Sequence, residues 1–526
     1  MGFLSSLASR STGWLAFLSL LAGYVQAVSI AAPWNGQPLW WLQMISLAAL
    51  VVLMERTSSA KQAALLGWLF ATSWLCGTVW WLFISMHVYG GLAAPLAMLA
   101  IFALCGFLAL YYAAACYFYK RFRQFAGMKS AWGAIVFAAS WMLAELARDS
   151  WFTGFPWGAG GYSQLDGPFS VWIAWIGVYG VGFLVVFLSH VATHVCSDSL
   201  PNSYLRRFAF LFFFVALLVI GRSLPNDSTQ AVTATSITLL QGNIPQGEKF
   251  DPTTGVKASL DWYQEQLMGA NRELVVTPET AIPLLPRQLP EGYWEAIRKR
   301  YSTGKEAALI GIPLGDFEKG YTNSVLGLKP NPSEPYQYDK HHLVPFGEFI
   351  PPLFKWFTQM MNIPLGDFNR GAVGQQSFEW AGQRWASNIC YEDLFGDELA
   401  RRFLDEKNAP TVMVNVSNIG WFGNTVAIDQ HLQISRMRAL ELGRPMVRAT
   451  NTGATVIINH RGEVTHSLPR HTRGVLIGSV QGRSGITPYA WWASRFGLWP
   501  LWVFGVTILL VAYYAVFMPA QRQKSR

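Results

Sequence analysis

The chain has 526 residues, of which 52% are hydrophobic and 15% aromatic, while only 13% are charged. A water-soluble globular chain carries roughly 25% charged residues, so much of this one is not built to face water. Its formal charge of +9 does not point to nucleic acid, because the basic residues lie in short loops and tails between apolar runs, a pattern of membrane topology.

Apolar runs approaching the length needed to cross a bilayer, about 20 residues, are read at Trp14–Ala32, Leu39–Met54, Ala63–Ile84, Leu92–Tyr119, Ala131–Ala147, Val171–His190 and Phe208–Ile220. A last one follows at Leu498–Phe517. Arg10 precedes the first run, and Arg56 and Lys61 follow the second. Lys120, Arg121, Arg123 and Lys129 follow the fourth, Arg206 and Arg207 precede the seventh, and Arg522, Lys524 and Arg526 end the chain. The loops between carry almost no basic residues, Arg148 excepted. Basic loops stay cytoplasmic, so about eight spans are expected, with both termini inside and Leu224–Arg495 outside. The Ala-rich end of the first run also admits a cleaved signal peptide, which leaves the remaining topology unchanged. Glu145, near the outer end of its span, is expected to cap it. The expected organisation is a seven-span membrane domain over 1–223, an external domain over 224–495, and a final span with a cytoplasmic tail over 496–526.

Beyond Leu224 the chain changes to short apolar strands alternating with amphipathic helices. Strands are predicted at Ser236–Gly242, Leu274–Thr277, Ala307–Ile312, Trp385–Ile389, Thr411–Val416, Met446–Ala449 and Ala454–Ile458. Helices are predicted at Val256–Ala270, Trp294–Ser302, Asp397–Lys407 and Val426–Gly443. This alternation argues for an α/β sandwich, and roughly 270 residues suffice for one substantial core.

Cys76, Cys105 and Cys116 lie in apolar runs and Cys196 in a cytoplasmic loop, so Cys390 is the one cysteine of the external domain and has no disulfide partner there. A buried small hydrophobe is the bland reading. Against it, Asn388-Ile389-Cys390-Tyr391-Glu392-Asp393 puts the thiol at the end of an apolar strand among acidic residues, where α/β folds place chemistry. A thiol near its normal pKa of about 8.5 needs activation to act as a nucleophile. Val275-Val276-Thr277-Pro278-Glu279 ends another strand in a carboxylate suited to take the thiol proton, though a solvated loop glutamate would read the same. The segment Tyr338–Glu348 offers Lys340 as a cation for a thiolate or an oxyanion, though alone it reads equally as a surface lysine. His341 and His342 suggest a metal, but neighbours on an extended segment point to opposite faces and no ligand cluster accompanies them, so neither metal nor cofactor is expected.

These three segments resemble the nitrilase superfamily, whose catalytic triad is Glu-Lys-Cys. With Gln241-Gly242-Asn243-Ile244-Pro245-Gln246, Leu343–Pro351, Trp421-Phe422-Gly423, Thr487-Pro488-Tyr489 and the spans, nearly the whole chain resembles the bacterial apolipoprotein N-acyltransferase family. The resemblance implies an α-helical membrane bundle carrying a nitrilase-like αββα sandwich, in the inner membrane with the active site toward the periplasm. It implies transfer of a fatty acyl chain from a membrane phospholipid to the N-terminal S-diacylglyceryl-cysteine of an apolipoprotein, through a cysteine thioester, by a monomer. It further implies Glu279 as base, Lys340 as oxyanion stabiliser and Cys390 as nucleophile, with Glu348, Tyr391 and Glu392 supporting them. Phe250 stands where relatives commonly show Trp, which keeps the aromatic class but not an indole N–H donor.

Both substrates would carry acyl chains, so apolar surface is expected near the thiol. The aromatic loop Trp151–Gly158, including Trp157, and the loop Pro351–Phe368, including Phe357, are read as a lipid portal; an aromatic belt anchor and plain core packing are the respective alternatives. Trp421 and Phe250 are further substrate-contact candidates. A membrane-tethered amidase with the same triad, a non-catalytic assembly protein and a transporter are the competing functions. An anchor of this size is needless for a soluble substrate, the triad is intact, and transporters place charged residues within their spans.

Overall fold

The computed structural model describes residues 2–126, 130–195, 203–224, 228–330, 335–351 and 368–524. Two compact units make up the chain. The first comprises Met1–Trp80, Met98–Asn226 and Leu498–Arg526, and the second Trp81–Ala97 with Asp227–Gly497.

The first unit is helical, formed by α1 (Gly2–Ile30), α2 (Trp40–Glu55), α3 (Ala60–Val79), most of α4 (Ala94–Ala126), α5 (Ser130–Ser150), α6 (Ile173–Val195), α7 (Ser203–Ser223) and the C-terminal helix Trp499–Lys524. Among the described residues, Gly13–Ile30, Ala60–Val79, Ala94–Gln124 and Ser170–Val195 are each long and apolar enough to cross a membrane. A fifth segment qualifies if the broken pair Pro488–Phe496 and Trp499–Ala515 acts as one. Helix α2 is apolar but only 16 residues long, and α5 carries Glu145, Arg148 and Asp149. Close approach sets the helix packing: a Cβ on Gly23 of α1 would fall 2.1 Å from the Phe70 carbonyl oxygen of α3. Beside it, Ser19 Oγ donates to the Leu66 carbonyl at 2.7 Å. Small residues and hydroxyls are what bring helices together where lipid removes the hydrophobic drive.

Glu145 does not cap its own helix. Its Oε1 accepts the Gly160 N–H at 2.8 Å, while Gln43 Nε2 donates to the Gly160 carbonyl at 2.7 Å. Arg148 donates to the carbonyls of Phe155 and Trp157 at 3.0 and 2.8 Å. Both charged side chains thus satisfy the backbone of the loop after α5, whose polar groups would otherwise be stranded.

The second unit is a sandwich of two six-stranded sheets, ordered β12-β1-β2-β3-β4-β5 and β11-β10-β9-β8-β7-β6. The first sheet contains β1 (Thr229–Gln241), β2 (Leu274–Val276), β3 (Ala307–Asp316), β4 (Gly320–Leu328), β5 (Tyr336–Asp339) and β12 (Gly474–Gly485). The second contains β6 (Phe378–Trp380), β7 (Gln383–Ile389), β8 (Val412–Ser417), β9 (Met446–Thr450), β10 (Val456–Ile458) and β11 (Val464–Ser467). At the centre of each sheet three strands run parallel, β1-β2-β3 and β7-β8-β9, with antiparallel strands outside them.

Period-two alternation assigns the two faces. Leu274 and Val276 join Leu239, Leu309, Trp385, Val412, Val414 and Val447 in the layer between the sheets. Val275 points the other way, into the cluster made with α8 (Gly255–Gly269) and α9 (Tyr293–Thr303). On the second sheet Met413 packs outward on α11 (Val426–Leu442) and α12 (Pro488–Phe496), with the short α10 (Gly396–Ala400) beside them. Burial on both faces is why these strands read as continuous apolar runs, each large side chain contributing about 1.5–3 kcal/mol.

Several elements differ from the predicted ones. The helix expected over Asp397–Lys407 is the short α10 followed by a 3-10 turn, Arg401–Phe403. Strands β4, β5, β6, β11 and β12 were not expected; β4 and β12 are interrupted by Gly and Ser, with Asn323 in β4, which weaken a strand signal, and they are held by pairing with apolar partners. The domain bounds drawn from the sequence leave out one excursion. Trp81–Ala97 packs with the sandwich because the Trp81 indole N–H donates to Gln430 Oε1 at 3.0 Å and its ring meets Phe422 at 4.1 Å.

Candidate active site

Parallel strands carry their chemistry just past their C-terminal ends, and three such ends converge in the sandwich with the end of one antiparallel strand. Glu279 follows β2, Cys390 follows β7 directly, Asn418 follows β8, and Lys340 follows the antiparallel β5. Glu279, Lys340 and Glu348 are all buried. Lys340 Nζ lies 3.3 Å from Glu279 Oε1 and 2.9 Å from Glu348 Oε1. Asn323 on β4 donates to the same two oxygens at 2.7 and 2.8 Å. The second oxygen of Glu279 accepts the Asn418 N–H at 2.8 Å, and that of Glu348 the Val344 N–H at 2.9 Å.

The turn that carries Glu279 is confined. A Cβ on Gly311 of β3 would fall 2.1 Å from the Pro278 carbonyl oxygen, so only glycine lets the strand pass. Cys390 sits in the left-handed region at φ 53°, uncommon for a side-chain-bearing residue and a hallmark of constrained functional positions. Its carbonyl is fixed by Asn415 Nδ2 at 3.3 Å and by His431 Nε2 at 3.2 Å. His431 Nδ1 faces an Arg448 guanidinium nitrogen at 3.1 Å. Arginine can only donate, so Nδ1 accepts and the hydrogen is on Nε2, directed at the Cys390 carbonyl and at Asp393 Oδ1, 3.0 Å away.

Glu392 joins the cysteine turn to the lysine segment. Its Oε2 accepts from Ile389 N at 2.6 Å and the Tyr338 hydroxyl at 2.7 Å, and its Oε1 from the backbone N–H groups of His341 and His342 at 2.5 and 3.2 Å. Tyr391 is buried, its ring packed on those of His342 and Phe395. The two histidines do not face apart as expected. The chain bends at His341–His342, and both rings reach Glu398 Oε1, at 3.7 and 3.1 Å. Phe250 is half-buried, with Lys249 Nζ 5.9 Å from its ring centre. Trp421 is half-buried and meets Tyr89 edge-on at 5.7 Å. Trp157 is buried in the helical unit at 3% exposure. Phe357 and most of its loop lie outside the described residues.

The charges divide the labour. Burial pushes the Cys390 thiol well up, the Glu279 charge adds to this, and Lys340 opposes it. Burial would raise Glu279 too, but Lys340, the Asn323 hydrogen bond, Lys249 and the Asn418 N–H together hold it below the usual carboxylate range. Lys340, despite its burial, is held above the usual lysine range by Glu279 and Glu348. These directions favour a neutral thiol, an ionised carboxylate and a charged ammonium, an arrangement suited to general-base removal of the thiol proton.

The sequence reading missed Asn323, Asn415, Asn418, His431 and Lys249. The asparagines had one signal, a polar amide interrupting or ending an apolar strand; Lys249 and His431 had none.

Residues 22–191 match the family described as apolipoprotein N-acyltransferase N-terminal domain, and residues 236–489 match carbon-nitrogen hydrolase. An apolipoprotein N-acyltransferase of Verminephrobacter eiseniae (strain EF01-2) is 54% identical over 515 residues, covering 93% of this chain and 95% of its own. That of Ralstonia nicotianae (strain ATCC BAA-1114 / GMI1000) is 43% identical over 477 residues, covering 90% and 89%. Among solved structures, the carbon-nitrogen hydrolase from Helicobacter pylori G27 aligns at 14% identity and a TM-score of 0.35, over 51% of this chain and 94% of that one. The named relatives align through helices and sandwich alike, and the chain belongs to the apolipoprotein N-acyltransferase family.

Proposed function

We propose that this chain transfers a fatty acyl group from a membrane phospholipid, through a thioester on Cys390, to the α-amine of the N-terminal S-diacylglyceryl-cysteine of an apolipoprotein. The observation that carries this reading is the buried Glu279–Lys340–Glu348 cluster, whose three charges all act on the thiol of a cysteine held at φ 53°. In the first half-reaction Glu279 takes the thiol proton as sulfur bonds to a glycerol ester carbonyl. The carbon–oxygen bond then breaks, and the proton passes to the leaving alkoxide as lysophospholipid departs. In the second, the amine attacks the thioester, the carbon–sulfur bond breaks, and Glu279 returns the amine proton to sulfur. Lys340 and the Tyr391 N–H stabilise the oxyanion of both tetrahedral intermediates. Glu348 orients Lys340, and Glu392 holds the lysine and cysteine segments together.

Both substrates carry acyl chains, each buried CH₂ worth about 0.8 kcal/mol, so neither readily leaves a bilayer. The apolar helices support an inner-membrane protein. The placement of basic residues supports about eight crossings, with cytoplasmic termini and a periplasmic sandwich over Leu224–Arg495. Phe250 and Trp421 offer half-buried aromatic surface for substrate.

Incubation of the full chain with phospholipid alone tests the reading. One acyl mass is expected on the Cys390 peptide, removable by neutral hydroxylamine. Cys390→Ala and Glu279→Gln should show none. An acyl group on another residue, or full transfer by Cys390→Ala, ends the nucleophile assignment.

A further inference from the structure

The scheme above leaves a second buried lysine without a task. Lys249 is 2% exposed, and its Nζ donates to the Glu279 carbonyl oxygen at 3.1 Å and to Thr280 Oγ1 at 2.7 Å. That turn needs holding. Thr280 is β-branched and sits at φ 46°, a conformation such residues avoid and which persists only when its surroundings enforce it. Resting on the reading of Glu279 as base and Cys390 as nucleophile, we propose that Lys249 is a positioning residue for the general base. It holds the Glu279–Thr280 turn by two hydrogen bonds and places a second positive charge beside the Glu279–Cys390 pair.

The charges facing each other support this. Lys249 has Glu279 and Cys390 as its titratable neighbours. Glu279 faces Lys340 and Lys249 together with the Asn323 amide and the Asn418 N–H. Lys340 faces Glu279, Glu348 and Cys390. Two cations thus balance two carboxylates while the thiol is neutral. Without Lys249 the site would be net negative before the reaction begins, and negative surroundings disfavour both an ionised base and charge developing on sulfur. Burial brings the Lys249 ammonium down to about 8, so its charge is present at neutral pH and lost as pH rises further.

The test is the rate of acyl-Cys390 formation by full-length enzyme in phospholipid–detergent micelles, from about pH 3 to pH 9.5, for wild type, Lys249→Met and Lys249→Arg. Removing the charge raises Glu279, so in Lys249→Met the acid limb should move to higher pH by about one unit, while the loosened Glu279 turn should lower the rate at pH 7 by at least roughly tenfold. In Lys249→Arg the acid limb should stay at the wild-type position, and the fall in rate above about pH 8 should disappear because arginine does not deprotonate. An unmoved acid limb in Lys249→Met overturns the proposal. Should that variant fail to fold, an unchanged alkaline limb in Lys249→Arg overturns it instead. Failure of the underlying reading is a different result, since wild type would then form no adduct on Cys390.

Discussion

Replacing Lys340 by Met keeps the stem and deletes the charge that two carboxylates share. In the wild type Nζ is 3.3 Å from Glu279 and 2.9 Å from Glu348, with all three side chains at most one-tenth exposed. Asn323 bonds the facing oxygens of both, so without the cation two buried carboxyls meet across one amide. Deleting one partner of a buried ion pair costs about 3–5 kcal/mol, roughly 6–20 °C in Tm for a unit of this size. The sign of the pH dependence follows. Wild-type Glu279 lies below the ordinary range, so its stabilisation is fully present above the unfolded-state value of about 4.3 and fades as pH falls through the folded value. In Lys340→Met burial is no longer opposed by Lys340, a carboxyl binds a proton on folding, and the variant loses stability as pH rises. The gap between the two proteins should therefore widen from about pH 4 to pH 7. Heat unfolding of the full chain in detergent at both pH values measures it. Lys340→Met/Glu348→Gln should recover part of the lost stability by removing one uncompensated charge. Cys390 acylation, slowed by about 10²–10³-fold for a lost oxyanion donor, should stay slow in both. A Lys340→Met enzyme as stable as wild type at pH 7, or a gap independent of pH, would refute the assignment of Lys340 as the neutralising charge.

Gly311→Ala would put a methyl 2.1 Å from the Pro278 carbonyl oxygen and 2.9 Å from the Thr280 N–H, so the Glu279 turn must move. Overpacking of this kind costs about 1–3 kcal/mol, and a misplacement near 1 Å costs about 10²-fold in rate; unchanged acylation would mean the turn is not confined. Phe317, 89% exposed in the β3–β4 hairpin, reports topology: in a Cys196→Ala/Cys390→Ala background, Phe317→Cys should react with a membrane-impermeant maleimide from the periplasmic side only. Reaction from the cytoplasmic side alone would invert the proposed orientation.

The sequence alone determined the class of protein and the candidates for its chemistry, because both rest on local signals. Length and apolarity of a run decide whether it suits a bilayer, and an apolar strand ending in Glu279 or Cys390 shows where a carboxylate or thiol emerges from a core. What the residues do to one another was decided only by tertiary structure. Asn323, which ties Glu279 to Glu348, lies on β4, whose Gly-Tyr-Thr-Asn-Ser start has no strand signal until β3 and β5 pair with it. Lys249 and Thr280 are far apart in sequence and meet only when the chain beyond β1 folds over the end of β2. The bend that turns both His341 and His342 to Glu398, and the φ of 53° at Cys390, go with hydrogen bonds made by Glu392 in the cysteine's own turn and by Asn415 and His431 from two other elements. A pKa depends on distance and burial, which sequence neighbours do not set. The directions in which burial and charge push the Cys390 thiol and the Glu279 carboxyl follow only from where the folded chain places Lys340, Lys249 and Asn418 around them.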